Sequence, residues 1–227
     1  MIISIGSEKG PTFSRYTIFY IRMDWTAQEK RVLDGLTSPW KIQDFLDGLA
    51  YNTSDVTFSP REVLRRKQAH CMDGALFGVA ALQWLRHPPL LVDLRAVNDD
   101  DHVIAVFRQE GMWGAVAKSN TTLLRYRDPV YRSLRELALS YFPMYFNSEG
   151  EMSLREYSRP FSLRRFGPDW IFSADDMSFI GAALDATRHY PLLTKQQLLA
   201  LPRVQKYLID ACFLGADRKG LYQAPQA

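Results

Sequence analysis

The sequence predicts an α+β fold in which one buried helix packs against an antiparallel sheet. Three features point to it. Residues 71–86 form a helical stretch that is apolar on nearly every face, three strand-like runs follow closely, and helix-start signals recur ahead of it. Between Met72 and Leu85 only Asp73 and Gln83 are strongly polar. A helix without a polar face belongs inside a domain. His87-Pro88-Pro89 closes it, since proline cannot continue a helix.

The remaining elements follow from local chemistry. Residues 11–24 are rich in β-branched and aromatic types and read as a strand. Thr26 with Glu29 is a capping-box pair that starts a helix running to about Leu36. Ser38-Pro39 and Ser59-Pro60 each place an N-cap before a proline at the first helical position, predicting helices to about Tyr51 and Lys67. Residues 90–97, 103–108 and 113–118 read as strands. The turns at Asp99-Asp100-Asp101 and Gln109-Glu110-Gly111 make them an antiparallel meander. A further strand is expected at 123–127 and a helix at 130–141, with Leu134, Leu137 and Ala138 on one stripe. Beyond Gly150, an extended run at 154–166 leads to helices near 175–189 and 194–213.

Composition narrows the function classes. With 47% hydrophobic and 23% charged residues the chain has an ordinary globular balance, enough for one core plus at most a small appendage. A net charge of +3, from 28 basic and 25 acidic residues, is too small to argue for a nucleic-acid partner. Arginine clusters such as Arg61/Arg65/Arg66 therefore read as solvated faces. Two cysteines exclude a disulfide-dense scaffold and a cysteine-rich zinc module. No stretch reaches the roughly 20 apolar residues of a membrane span, and the first residues lack the basic region of a secretion signal. The expectation is a cytoplasmic protein without membrane or nucleic-acid partners. Asp99–Asp101 bring no convergent ligand set, so neither a metal nor a cofactor is expected.

Chemistry concentrates at Cys71 and His102. Cys71 opens the buried helix, where unpaired N–H groups and the positive end of the dipole favour a thiolate. His102 begins an alternating strand, at an end where side chains can face a cleft. Three aspartates precede it and would favour the imidazolium if they lie near the ring. Cys212, between Ala211 and Phe213, reads as core. His70 reads as a cap or cleft-lining residue, and Asp73 as a dipole partner in the first turn.

The order of a Cys at a helix start, a His at a strand start and a Trp early in the next strand resembles the transglutaminase-like superfamily of papain-type cysteine enzymes. It covers roughly residues 38–130. That family places an acidic residue about four positions after the Trp, where this chain has Ala117. Asn120 is then the candidate to orient His102, with Ser119 next and Asp128 third. The resemblance implies a catalytic domain over residues 1–150 and a helical C-terminal extension over 151–227. It implies an acyl-thioester at Cys71, proton transfer by His102, and resolution by water or an amine. Trp113, Gln68 and Ser119 are the expected substrate-binding residues, Gln68 as a second oxyanion donor beside the Cys71 N–H. The substrate would be a peptide, a protein or a small amide. The alternative is a catalytically degenerate module that kept the fold for binding or scaffolding.

Overall fold

The computed structural model describes residues 24–222. The strand expected at 11–24 lies outside them, apart from Asp24. Helices α1 (Ala27–Gly35), α2 (Pro39–Asp47) and α3 (Pro60–Arg66) begin where the caps predict. Thr26 and Glu29 form a reciprocal capping box, with bonds of 2.7 and 3.2 Å. Ser38 and Ser59 each accept the N–H three residues on. The two-residue strands β1 (Ala50–Tyr51) and β2 (Gln68–Ala69) pair in parallel around α3 and deliver the chain to α4 (Cys71–Trp84).

The meander follows as β3 (Leu90–Ala96), β4 (His102–Gln109) and β5 (Met112–Val116). The next strand, β6 (Arg127–Tyr131), lies later than the expected 123–127. Residues 121–125 instead make bends, and Leu124 is buried without pairing in a ladder. Helix α5 (Leu134–Tyr141) completes this half. Then come β7 (Leu154–Ser158), β8 (Phe161–Ser162), α6 (Ser178–Asp185), β9 (His189–Pro191), α7 (Lys195–Leu199) and α8 (Lys206–Cys212). The helix expected over 194–213 is two short ones, with Pro202 between them.

The main sheet has the order β6-β5-β4-β3-β7-β9, with β8 also on β3, and every pairing is antiparallel. Alternation along its strands fills two cores. Leu91, Val103, Ala105, Phe107 and Val116 face α1–α4 and α6. Val92, Leu94, Ile104, Val106 and Ala115 face α5.

Residues 151–222 are not a helical extension packed on a finished domain, which corrects the expected division at residue 150. Strands β7 and β8 pair with β3 in the centre of the sheet, and Trp170, Ile171, Ile180 and Leu184 lie in the same core as α4. The three-residue strand β9 also falls where a helix was expected to end. Its extended shape comes from pairing with β7, which local sequence does not encode.

Two glycines set how closely α4 approaches the sheet. A Cβ on Gly78 would sit 2.8 Å from Val116 Cγ2 and 3.1 Å from the Ala105 Cβ. One on Gly74 would sit 2.2 Å from the Lys118 Cβ. Close packing at these two positions brings the start of α4 down onto the start of β4. Cys71 and His102 belong to those two ends.

Candidate active site

The first turn of α4 is capped by a histidine. Nδ1 of His70 accepts from the backbone N–H of Met72 (3.1 Å) and of Asp73 (3.4 Å). A ring nitrogen that accepts carries no proton, so the hydrogen is on Nε2, which faces Asp73 Oδ1 at 3.3 Å. Asp73 is fully buried and satisfied: it accepts from the N–H of Phe58 (2.7 Å), the N–H of His70 (2.9 Å) and the amide of Asn52 (2.8 Å). Gly74 N–H donates to the His70 carbonyl. The Cys71 N–H is the first-turn donor left without an acceptor among the described residues.

Cys71 is half-buried, and its thiol lies against the main chain on both sides of His102. Sγ is 3.8 Å from the Asp101 carbonyl oxygen, and the Val103 N–H also reaches the sulfur. Burial pushes the thiol up to about 12. The Val103 N–H opposes this, and the charges of Asp73, Asp100 and Asp93 add to it. Desolvation thus opposes the thiolate expected from the helix start and favours the neutral thiol.

His102 is the first residue of β4 and only 4% exposed. Alternation turns its ring toward the α5 face, beside Tyr141 and Tyr145 at centroid distances of 6.3 and 6.4 Å. Because it stands at the strand's end, it shares one cleft with Cys71. His102 Nε2 lies 2.9 Å from the Leu124 carbonyl oxygen. A carbonyl can only accept, so Nε2 holds the proton and Nδ1 keeps its lone pair. Burial pulls the ring down to about 4, opposed by the Leu124 carbonyl and helped by Arg127. The imidazolium expected from the preceding aspartates is corrected accordingly. Asp99 accepts from Ser153 and from the Asp100 N–H, Asp101 accepts from the Ala96 N–H, and neither bonds the ring.

The other expected site residues separate into two groups. Ser119 and Asn120 line the cleft with Cys71 and His102. The Ser119 hydroxyl pairs with that of Thr121 (2.9 Å). Both ends of the Asn120 amide are taken by the backbone of Asp217, donating to its carbonyl and accepting from its N–H, each at 2.8 Å. The ring is held by Leu124 in place of Asn120. Trp113 sits opposite Arg108 at the far end of β5, under its guanidinium at 5.0 Å, and does not wall the cleft. Gln68 is exposed on β2, outside the cleft lining, so it is not placed as an oxyanion donor.

Sequence reasoning missed Tyr51, Leu124, Tyr145 and the C-terminal residues Gly220–Tyr222, all of which line the cleft. The Tyr145 hydroxyl lies 2.7 Å from the Asp100 carbonyl, fixing the loop before His102. Burial raises the Tyr51 phenol, and the Cys71 charge adds to that. Leu124 acts through its backbone, which leaves no side-chain signature. Among the described residues, Asp93, Asp101 and Asp185 bring carboxylate oxygens within 4.8 Å of one another, the spacing a metal could use. Two side chains already occupy these oxygens: His189 Nε2 lies 2.9 Å from Asp93 Oδ2, and the Arg95 guanidinium lies 4.0 Å from Asp101.

Compared with known proteins, the chain matches no family model and no curated protein. Among the described residues no helix is long and apolar enough to cross a membrane.

Proposed function

We propose that the cleft at the start of α4 performs acyl transfer through a thioester at Cys71, in the manner of the transglutaminase-like superfamily that the motif order resembles. One observation supports this above others: Nε2 of His102 is tied to a carbonyl, so the lone pair on Nδ1 is the ring's base, in the same cleft as the thiol. With a neutral thiol and a neutral imidazole, the reaction starts by general-base catalysis. Nδ1 takes the thiol proton as sulfur bonds to the acyl carbon. The resulting imidazolium then gives that proton to the leaving amine or alkoxide as its bond to carbon breaks. In the second half His102 takes a proton from water or an amine attacking the thioester, and returns it to sulfur.

The oxyanion is met by the free N–H of Cys71 at the positive end of α4. Tyr51, kept protonated by burial and close enough to feel the Cys71 charge, supplies a hydroxyl on the same wall. Hydrolysis and transfer to an amine share every step up to the thioester, so the proposed activity is a peptidase, an amidase or an acyltransferase. A non-catalytic binding role is a second reading, favoured by one observation: no side chain stands where Asn or Asp would orient the ring, and a main-chain carbonyl does so instead.

Incubation with p-nitrophenyl acetate followed by intact-mass analysis separates the two. The expected result is an acetyl adduct confined to Cys71, absent in Cys71→Ser and formed about 100-fold more slowly in His102→Gln. An adduct rate that is the same with and without the imidazole would leave only the binding role.

A further inference from the structure

Residues 220–222 stand in the cleft. After α8 the chain turns at Gly215, which has the left-handed φ of +76°, and returns so that Gly220, Leu221 and Tyr222 line the same cleft as Cys71 and His102. Asp217 is extended, with φ −72° and ψ 115°. Its C=O and N–H are both read by the carboxamide of Asn120. Among the described residues these two are the hydrogen bonds that tie residues 217–222 to the rest of the chain. Three residues on, the Gly220 backbone lies flat against Tyr51: a Cβ there would sit 2.5 Å from Tyr51 Cε1 and 3.1 Å from Asn120 Nδ2. Residues 217–219 are exposed and 220–222 half-buried, so the segment is docked on the surface and outside the core.

We propose that residues 217–222 are an intrasteric strap, and that the substrate of the cleft is a polypeptide whose extended main chain replaces the strap on Asn120. The N–H and C=O of one residue belong to successive peptide groups, a two-point pair that any extended peptide offers whatever its side chains, whereas a secondary amide holds its N–H trans to its C=O and cannot reach both atoms of the carboxamide. The docked strap covers Asn120 and the ring of Tyr51, both of them walls of the cleft. Displacing it breaks two surface hydrogen bonds, a cost that a peptide making the same two bonds offsets. Asn120 is thus a substrate-positioning residue. The proposal rests on the acyl-transfer reading only for what happens after binding.

Access to Cys71 by a bulky maleimide tests it in the full-length chain, because that reaction needs no histidine base. Cys212, buried at the end of α8, is the internal reference. Gly220→Val and Asn120→Ala are expected to raise the Cys71 rate about tenfold or more, the effect of weakening the strap by some 1.4 kcal/mol. Cys212 should stay unchanged. Thr122→Ala, which removes hydroxyl contacts to the Ala211 and Cys212 carbonyls, should raise Cys212 instead. The synthetic peptide of residues 217–222 should protect Cys71 in Gly220→Val, and give no protection once Asn120→Ala is added. Unchanged Cys71 rates in both strap variants, an equal rise at both cysteines, or protection independent of Asn120 would each overturn the proposal. The same rise in a His102→Gln background would keep the strap standing even if the acetyl adduct proved independent of His102.

Discussion

At the scale of single residues, the site depends on a competition between desolvation and the helix start. The positive end of α4 favours a thiolate at Cys71, yet burial leaves the thiol near 12 and the imidazole near 4. A histidine with a depressed folded pKa stabilises the fold above its unfolded value and loses that contribution as pH falls through the folded one. For His102 the loss begins below its ordinary 6.5 and is complete only below about 4. At about 1.4 kcal/mol per unit, the ring is worth on the order of 3 kcal/mol to acid sensitivity. His102→Gln keeps a donor for the Leu124 carbonyl and does not titrate. Urea midpoints measured at pH 7.5 and pH 4.5 should therefore differ less in this variant than in the wild-type chain. Equal differences would mean that the ring is already charged or exposed. Most of what the sequence disclosed at this scale was side-chain chemistry: the thiol, the imidazole and the histidine cap. The carbonyl of Leu124 and the pairing of Asn120 with Asp217 depend on chain segments meeting far from each other in sequence, and nothing local announces them.

At the scale of elements, local signals predicted what local energies decide. The starts at Thr26, Ser38-Pro39 and Ser59-Pro60 were legible because a cap is satisfied within three residues. The meander was legible because its turns and alternation are also local. Strand β6 lies later than expected because Leu123 and Leu124 look like a strand yet make no ladder, Leu124 being buried without pairing, while the paired residues contain Pro129. The approach of α4 to the sheet belongs to the same scale. Gly78→Ala should gain about 1 kcal/mol in helix propensity but lose about 1–3 kcal/mol to overpacking against Val116 and Ala105. The net expectation is a lower denaturation midpoint, together with slower acetylation at Cys71 as α4 is pushed off β4. A variant more stable than wild type would show that the helix has room to spare.

At the scale of the whole molecule, the C-terminal third belongs to the core and also reaches the site. β7 and β8 pair along one edge of β3, and the segment around Trp170 and Ile180 fills the space beneath α4. The expected division at residue 150 was drawn from a change in sequence character, which shows where element types change and cannot show which strands pair. A chain ending at residue 150 would leave the edge of β3 opposite β4 unpaired and the α4 core open. It is expected to show no cooperative thermal transition and to bind a hydrophobic dye strongly at 25 °C. A sharp transition in that fragment would restore the two-part division.

The pH dependence of Cys71 acetylation most directly tests whether a neutral His102 removes the proton from a neutral thiol. With the imidazole near 4 and the thiol near 12, the wild-type rate should be nearly flat from about pH 6 to pH 9 and fall off in acid. In His102→Gln the rate should instead climb about tenfold per pH unit across that range, because only pre-formed thiolate then reacts. A wild-type profile that climbs in the same way, superimposable on that of His102→Gln, would contradict the mechanism.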